Sequence, residues 1–147
     1  MNTTTTTQKI ARIILGLMLL FTGTSHMTWA QKEFAAQVPS WIPVSKDFVV
    51  VSSGIVELAL GMGLIFLVSR QNTVGWIAAI FFTAIFPGNI AQLINHRDAF
   101  GLNSDLARTI RLFFQPVLVF WALWSTGVWP RKKQPLRFES FWQGRKR

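Results

Sequence analysis

Two side chains place acid–base chemistry inside apolar sequence: Glu57 and His26 each fall within a hydrophobic stretch of the chain. A carboxyl and an imidazole brought together could share a proton, hold a polar headgroup, or clip two helices to one another. Asn89, Gln92 and Gln115 add neutral amides, and Arg111 adds a cation. Cysteine is absent, which excludes thiol-relay, disulfide and iron–sulfur chemistry by this chain itself. With only two histidines, His26 and His96, the composition argues against a self-contained metal site without excluding one. Neither a nucleophile motif nor a phosphate loop occurs, so no catalytic residue, metal or identifiable cofactor is assigned.

The elements that must position these residues are four apolar stretches, at residues 10–29, 48–69, 74–93 and 110–129. Each is long enough to cross a hydrocarbon core of ~30 Å at ~1.5 Å per helical residue. Half of the 147 residues are hydrophobic and only 14% are charged, where soluble chains carry about 25%. The expected fold is therefore an all-α four-helix transmembrane bundle in one domain. Lys9 and Arg12 followed by an apolar run also fit the layout of a signal peptide, with 28–30 as a cleavage site. The run continues past Gly23 to Met27 and Trp29, which favours an uncleaved anchor.

Spacing within the spans gives each polar group a face. Gly54, Glu57 and Gly61 stand at i, i+3 and i+7, with Gly63 beside them. Gly16, Gly23 and His26 repeat the theme in the first span. Small residues let helices approach closely in lipid, so these glycines are read as packing positions and both polar groups as pointing into the bundle. Counted from Phe48, Glu57 lies ~14 Å deep, and His26 lies ~24 Å above Ile10. Asn89 and Gln92 fall in the same half as His26, as do Arg111 and Gln115. The other half is expected to have no polar counterpart. An acidic group at mid-membrane costs ~2.5–3.5 kcal/mol on insertion scales and is normally paired or protonated. Arg111 is the first candidate partner and His26 the second. The outcome is either an interhelical clip or a polar pocket. Pro87 and Pro116 each remove an amide donor beside this cluster and invite kinks there.

The net charge of +9 is unevenly placed. With four spans both termini share one side, which then carries ten basic residues against five on the other. The positive-inside rule puts the ten, and both termini, in the cytoplasm, so the charge is a topology signal and not a nucleic-acid footprint. Residues 1–9, with five consecutive threonines, are expected to be a disordered leader. The connection 30–47 is apolar for a loop; Trp41 between Pro39 and Pro43 reads as an interfacial anchor over the bundle, or as a lid. Residues 71–73 read as a tight turn, and Ser104 with Asp105 as the cap of the last helix. Lys32, Glu33, Lys46, Asp47, Arg97, Asp98 and His96 read as solvated loop groups. The tail 130–147 interleaves basic residues with Phe138, Phe141 and Trp142, a composition suited to anionic lipid or to a partner protein.

The order and spacing of four short motifs carry a resemblance. The end of the first span at 21–26 (FTGTSH), the 38–43 segment (VPSWIP), the 53–58 segment (SGIVEL) with Gly61 and Gly63, and the 87–90 segment (PGNI) resemble the DoxX family of small bacterial membrane proteins. The similarity runs from about Lys9 to Trp124. It implies a multi-pass protein of the bacterial cytoplasmic membrane, with His26, Glu57 and Asn89 as its polar intramembrane positions. The family's namesake is a subunit of a thiosulfate:quinone oxidoreductase, which implies quinone as a ligand and redox metabolism as a setting. Without cysteines, the expectation for this chain is a non-catalytic subunit that binds quinone or lipid. His26, Glu57, Asn89, Gln92, Arg111 and Gln115 would form the ligand site. The other readings are a small-metabolite or proton transporter, and a structural anchor for a protein partner or for further copies of itself.

Overall fold

A computed structural model describes residues 4–101 and 104–130. The chain is all-helical, with no strand among the described residues. Most of the tail expected to meet lipid or a partner, residues 131–147, lies outside the described residues, as do residues 1–3 of the leader.

The first helix, α1 (Thr6–Met27), begins four residues before the apolar stretch does. Thr5 and Gln8 form a reciprocal capping box, which satisfies two of the amide donors that open a helix. The expectation of a disordered leader therefore fails over residues 6–9. A short helix α2 (Gln31–Ala35) follows, and then α3 (Lys46–Phe66), capped by Ser45 through the Phe48 amide. The chain leaves the helix at Leu67, makes a 3-10 turn over Val68–Arg70 and enters α4 (Gln71–Ala84). The reversal thus precedes the position expected for it. Residues 71–73 already form the first turn of α4, where backbone N–H groups need no intrahelical partner.

The third span is broken. α4 ends at Ala84, and α5 (Phe86–Ile94) restarts with Pro87 in its first turn. Proline has no N–H to continue the ladder, and its ring crowds the preceding turn. The last helix, α6 (Asp105–Ser125), keeps Pro116 inside it without interruption. Ser104 caps α6, its hydroxyl accepting from the Ala107 amide at 3.2 Å.

The spans run up and down around a ring, α1 against α3, α3 against α4, α4 against α6, and α6 against α1. Gln8 Nε2 donates to the Trp124 carbonyl at 2.8 Å and Trp121 Nε1 to the Ala11 carbonyl at 3.0 Å, so the start of α1 and the end of α6 share one end of the bundle. The opposite end carries α2 and residues 95–101, which follow α5. Leu15, Leu64, Ala78 and Ala122 fill the core toward the termini end, with Leu19, Phe82 and Leu118 above them. That end also buries Arg12, Ser125 and Thr126, contrary to the expectation that its half would hold no polar groups. The two hydroxyls donate to the Ala122 carbonyl, a helical neighbour.

The outside of the bundle is apolar. Leu17, Phe21, Phe48, Phe66, Ile80 and Phe113 are all more than half exposed. Four helical segments are long and apolar enough to cross a bilayer, the third being Val68–Ile94 taken across its break. An apolar coat of this extent suits lipid and would be a liability in water. Trp29, Trp41, Trp76 and Trp129 are exposed as well, as interfacial anchors are.

Candidate functional site

α1 and α3 approach most closely where both carry glycine. A Cβ on Gly23 would lie 2.8 Å from the Gly54 carbonyl oxygen, and one on Gly61 would lie 2.8 Å from that of Gly16. The pairs 16/61 and 23/54 share one antiparallel register, seven residues apart on each helix. Closeness of the two backbones then decides which polar groups can meet. His26 Nε2 lies 3.5 Å from Glu57 Oε1, and both side chains are buried. Arg111, the partner expected first, stands on α6, which does not pack against α3. Its guanidinium instead lies over the Phe100 ring, 4.9 Å from the centroid.

The histidine is held on three sides. Nδ1 lies 3.1 Å from the Val50 carbonyl and 3.0 Å from Ser53 Oγ. Ser53 gives its own hydrogen to the Val50 carbonyl, so Nδ1 is the protonated nitrogen. Phe34 of α2 stacks on the ring at 3.4 Å between centroids. Nε2 therefore faces Glu57 as an acceptor unless a proton lies between them. One shared proton makes the pair neutral overall, whether it rests on imidazole or carboxyl. The second carboxyl oxygen, Glu57 Oε2, is buried without a hydrogen-bond partner. His26 Nε2, too, is left without a geometrically good bond.

Gln115 and Asn89 form the facing wall. Gln115 Nε2 donates to the Phe82 carbonyl, and its Oε1 accepts from Asn89 Nδ2 at 2.9 Å. A break between α4 and α5 frees carbonyls such as that of Phe82, and an amide from α6 splints it. Gln92 is not part of this wall. It is buried, with Nε2 donating to the Arg97 carbonyl at 3.3 Å, and it closes the loop after α5 instead.

Between the two walls lies a cavity of about 410 Å³, within the size range of small-molecule sites. His26, Glu57, Asn89, Arg111 and Gln115 all line it. Leu19, Phe82 and Leu118, the top of the core, form its floor. Its roof is the segment after α2, with Val38, Pro39, Trp41 and Ile42. That segment is therefore part of the site, and Trp41 is both exposed and a lining residue. α3 and α5 do not pack against each other, so the wall between them is left to the roof segment. Gly88 lets that segment approach α5, since a Cβ there would lie 3.1 Å from the Gln37 carbonyl oxygen.

Several groups read as solvated hold this roof. Arg97 donates from Nη1 to the carbonyls of Ala36 and Val38, at 3.1 and 3.0 Å. Glu33 accepts from the Phe100 amide, and Arg108 engages Asp98 and Asp105. His96 remains exposed, paired with Asp105 at 2.8 Å. Phe34, Ser53 and Phe100 are not among the expected site residues, because nothing in their spacing indicates that α2 folds back over His26. Among the described residues no group of three metal-ligating side chains forms.

No curated protein and no solved structure matches the chain. A family model does, described as a domain of unknown function, DUF8561, over residues 15–126. The match takes in both walls and the roof of the cavity, and it covers most of the sequence: the chain belongs to the DUF8561 family.

Proposed function

We propose that this is a DoxX-like, non-catalytic membrane subunit that binds a polar-headed apolar molecule, a quinone or a lipid, in the cavity between α1, α3, α5 and α6. One observation carries the reading: a buried carboxyl–imidazole pair, with a carboxyl oxygen that lacks a hydrogen-bond partner, lines a mostly apolar cavity. A packing clip would have its polar atoms satisfied by neighbouring helices, as those of Gln115 are. The unpartnered atoms, His26 Nε2 and Glu57 Oε2, call for a donor, which a lipid or quinol hydroxyl on the ligand can supply.

The resemblance to DoxX supports a bacterial cytoplasmic membrane and a place beside redox enzymes. The distribution of basic residues supports cytoplasmic termini, with the cavity in the outer half of the bilayer. Anionic lipid or a protein partner would meet the basic tail. Any redox step would belong to that partner.

Glu57→Gln removes the ionisable group with little change of shape. Native mass spectrometry of protein released with its surrounding lipid should detect a stoichiometric adduct on the wild type that is lost in the variant, with the melting temperature held. Equal retention by both would remove Glu57 from the mechanism, and a bare wild-type chain would leave the pair as a packing device.

A further inference from the structure

We infer that the ligand is an anionic amphiphile, an alkyl chain ending in a carboxylate or phosphate, whose headgroup pairs with Arg111. This rests on the pocket reading above and narrows it. The titratable groups lining the cavity are His26, Glu57 and Arg111. With one proton shared between them, the first two contribute no net charge. The guanidinium is then an uncompensated cation in a largely apolar space.

Nothing among the described residues compensates it. Among the described residues Arg111 has no ion pair and no hydrogen bond; its guanidinium carbon lies over the Phe100 ring, 4.9 Å from the centroid. The contrast with its neighbours is direct. Arg108, one turn earlier, engages Asp98, Asp105 and the His96 carbonyl. Arg97 is used up on two roof carbonyls. Glu33 is committed to the Phe100 amide, and Lys46 and Asp47 are exposed at the start of α3, outside the cavity. Every acid near this end of the bundle therefore has another partner or lies away from Arg111.

An unpaired guanidinium in such surroundings calls for an anion, and its planar fork matches the two oxygens of a carboxylate or phosphate. A neutral quinone would leave the charge unmatched. The His26–Glu57 pair fits the same conclusion: as a neutral unit it does not repel an anion across the cavity, whereas an isolated carboxylate would. Met18, Ile42 and Phe114 supply apolar wall for the chain, and Phe114 is half exposed toward the lipid side.

The test uses the full chain in maltoside micelles, titrated with palmitate, hexadecyl phosphate and hexadecanol and read as one-to-one adducts by native mass spectrometry. At least one anion should bind tenfold or more tightly than the alcohol. Arg111→Gln should weaken that anion by roughly 10- to 100-fold, the loss expected for a charge-assisted contact, while sparing hexadecanol. A preference for palmitate assigns the headgroup as carboxylate, and the reverse as phosphate. Arg111→Lys keeps the charge and should retain part of the preference. Hexadecanol binding as tightly as both anions, or anion binding unchanged in Arg111→Gln, overturns the anionic ligand and leaves the pocket standing. Should Arg111→Gln lose every probe, Arg111→Lys decides, and equal binding of anion and alcohol to it overturns the inference. No adduct of any probe on the wild type, with no co-purifying ligand, overturns both.

Discussion

Gly54 has two duties that meet in the space of one atom. A Cβ there would lie 2.8 Å from the His26 Cβ and 3.1 Å from the Gly23 carbonyl oxygen. Neither neighbour is the loose end of a flexible side chain, so Gly54→Ala must push α1 away from α3. Overpacking of this kind costs roughly 1–3 kcal/mol, and here it also carries the imidazole away from Glu57. The expected result is a lower melting temperature in detergent together with weaker ligand retention. A variant as stable as wild type that still binds would mean the helices can separate without loss. The identity of the acid's partner is decided at this scale too. Charge alone nominates Arg111 for Glu57, but the partner is His26, because the close glycine contact joins α1 to α3 while α6 lies across the bundle.

Among the elements, the broken third span is the one whose form depends most on another helix. Pro87 stops α4, and the Gln115 amide bridges the Phe82 carbonyl to Asn89. Gln115→Leu keeps a side chain of similar bulk but strands a buried carbonyl and a buried amide. Leaving such groups unsatisfied costs about 1–3 kcal/mol each. Thermal unfolding in detergent should register that loss, and hydrogen exchange should rise at residues 82–90 while α1 and α3 stay protected. Unchanged exchange at the break would show that the splint is dispensable. α2 and the roof segment follow the same logic. Their residues carry no apolar period of their own, and Arg97, Phe34 and Gly88 set where they lie.

For the whole molecule, an up-and-down bundle of four spans puts the start of α1 and the end of α6 on one side and the roof of the cavity on the other. The packed floor at Leu19, Phe82 and Leu118 separates the cavity from the termini end, which weighs against a continuous transport path. The absence of cysteine makes the topology directly measurable, since any introduced thiol is the only one. In intact bacterial cells a membrane-impermeant maleimide should label Trp41→Cys, and should label Pro130→Cys only after permeabilisation. The opposite pattern would invert the bundle and turn the cavity toward the cytoplasm. The sequence by itself determined the number of spans, the alternation of their direction and the shared helix faces of Gly23 with His26 and of Gly54 with Glu57, because hydropathy and the 3.6-residue period act locally. Only the tertiary structure decided that His26 meets Glu57, that Gln115 closes the break at Pro87 while Gln92 turns away, and that Arg111 has no ion pair among the described residues. Those outcomes depend on which helices touch and at what distance, and close approach of α1 to α3 through Gly23 and Gly54 is a relation between segments that neither contains alone.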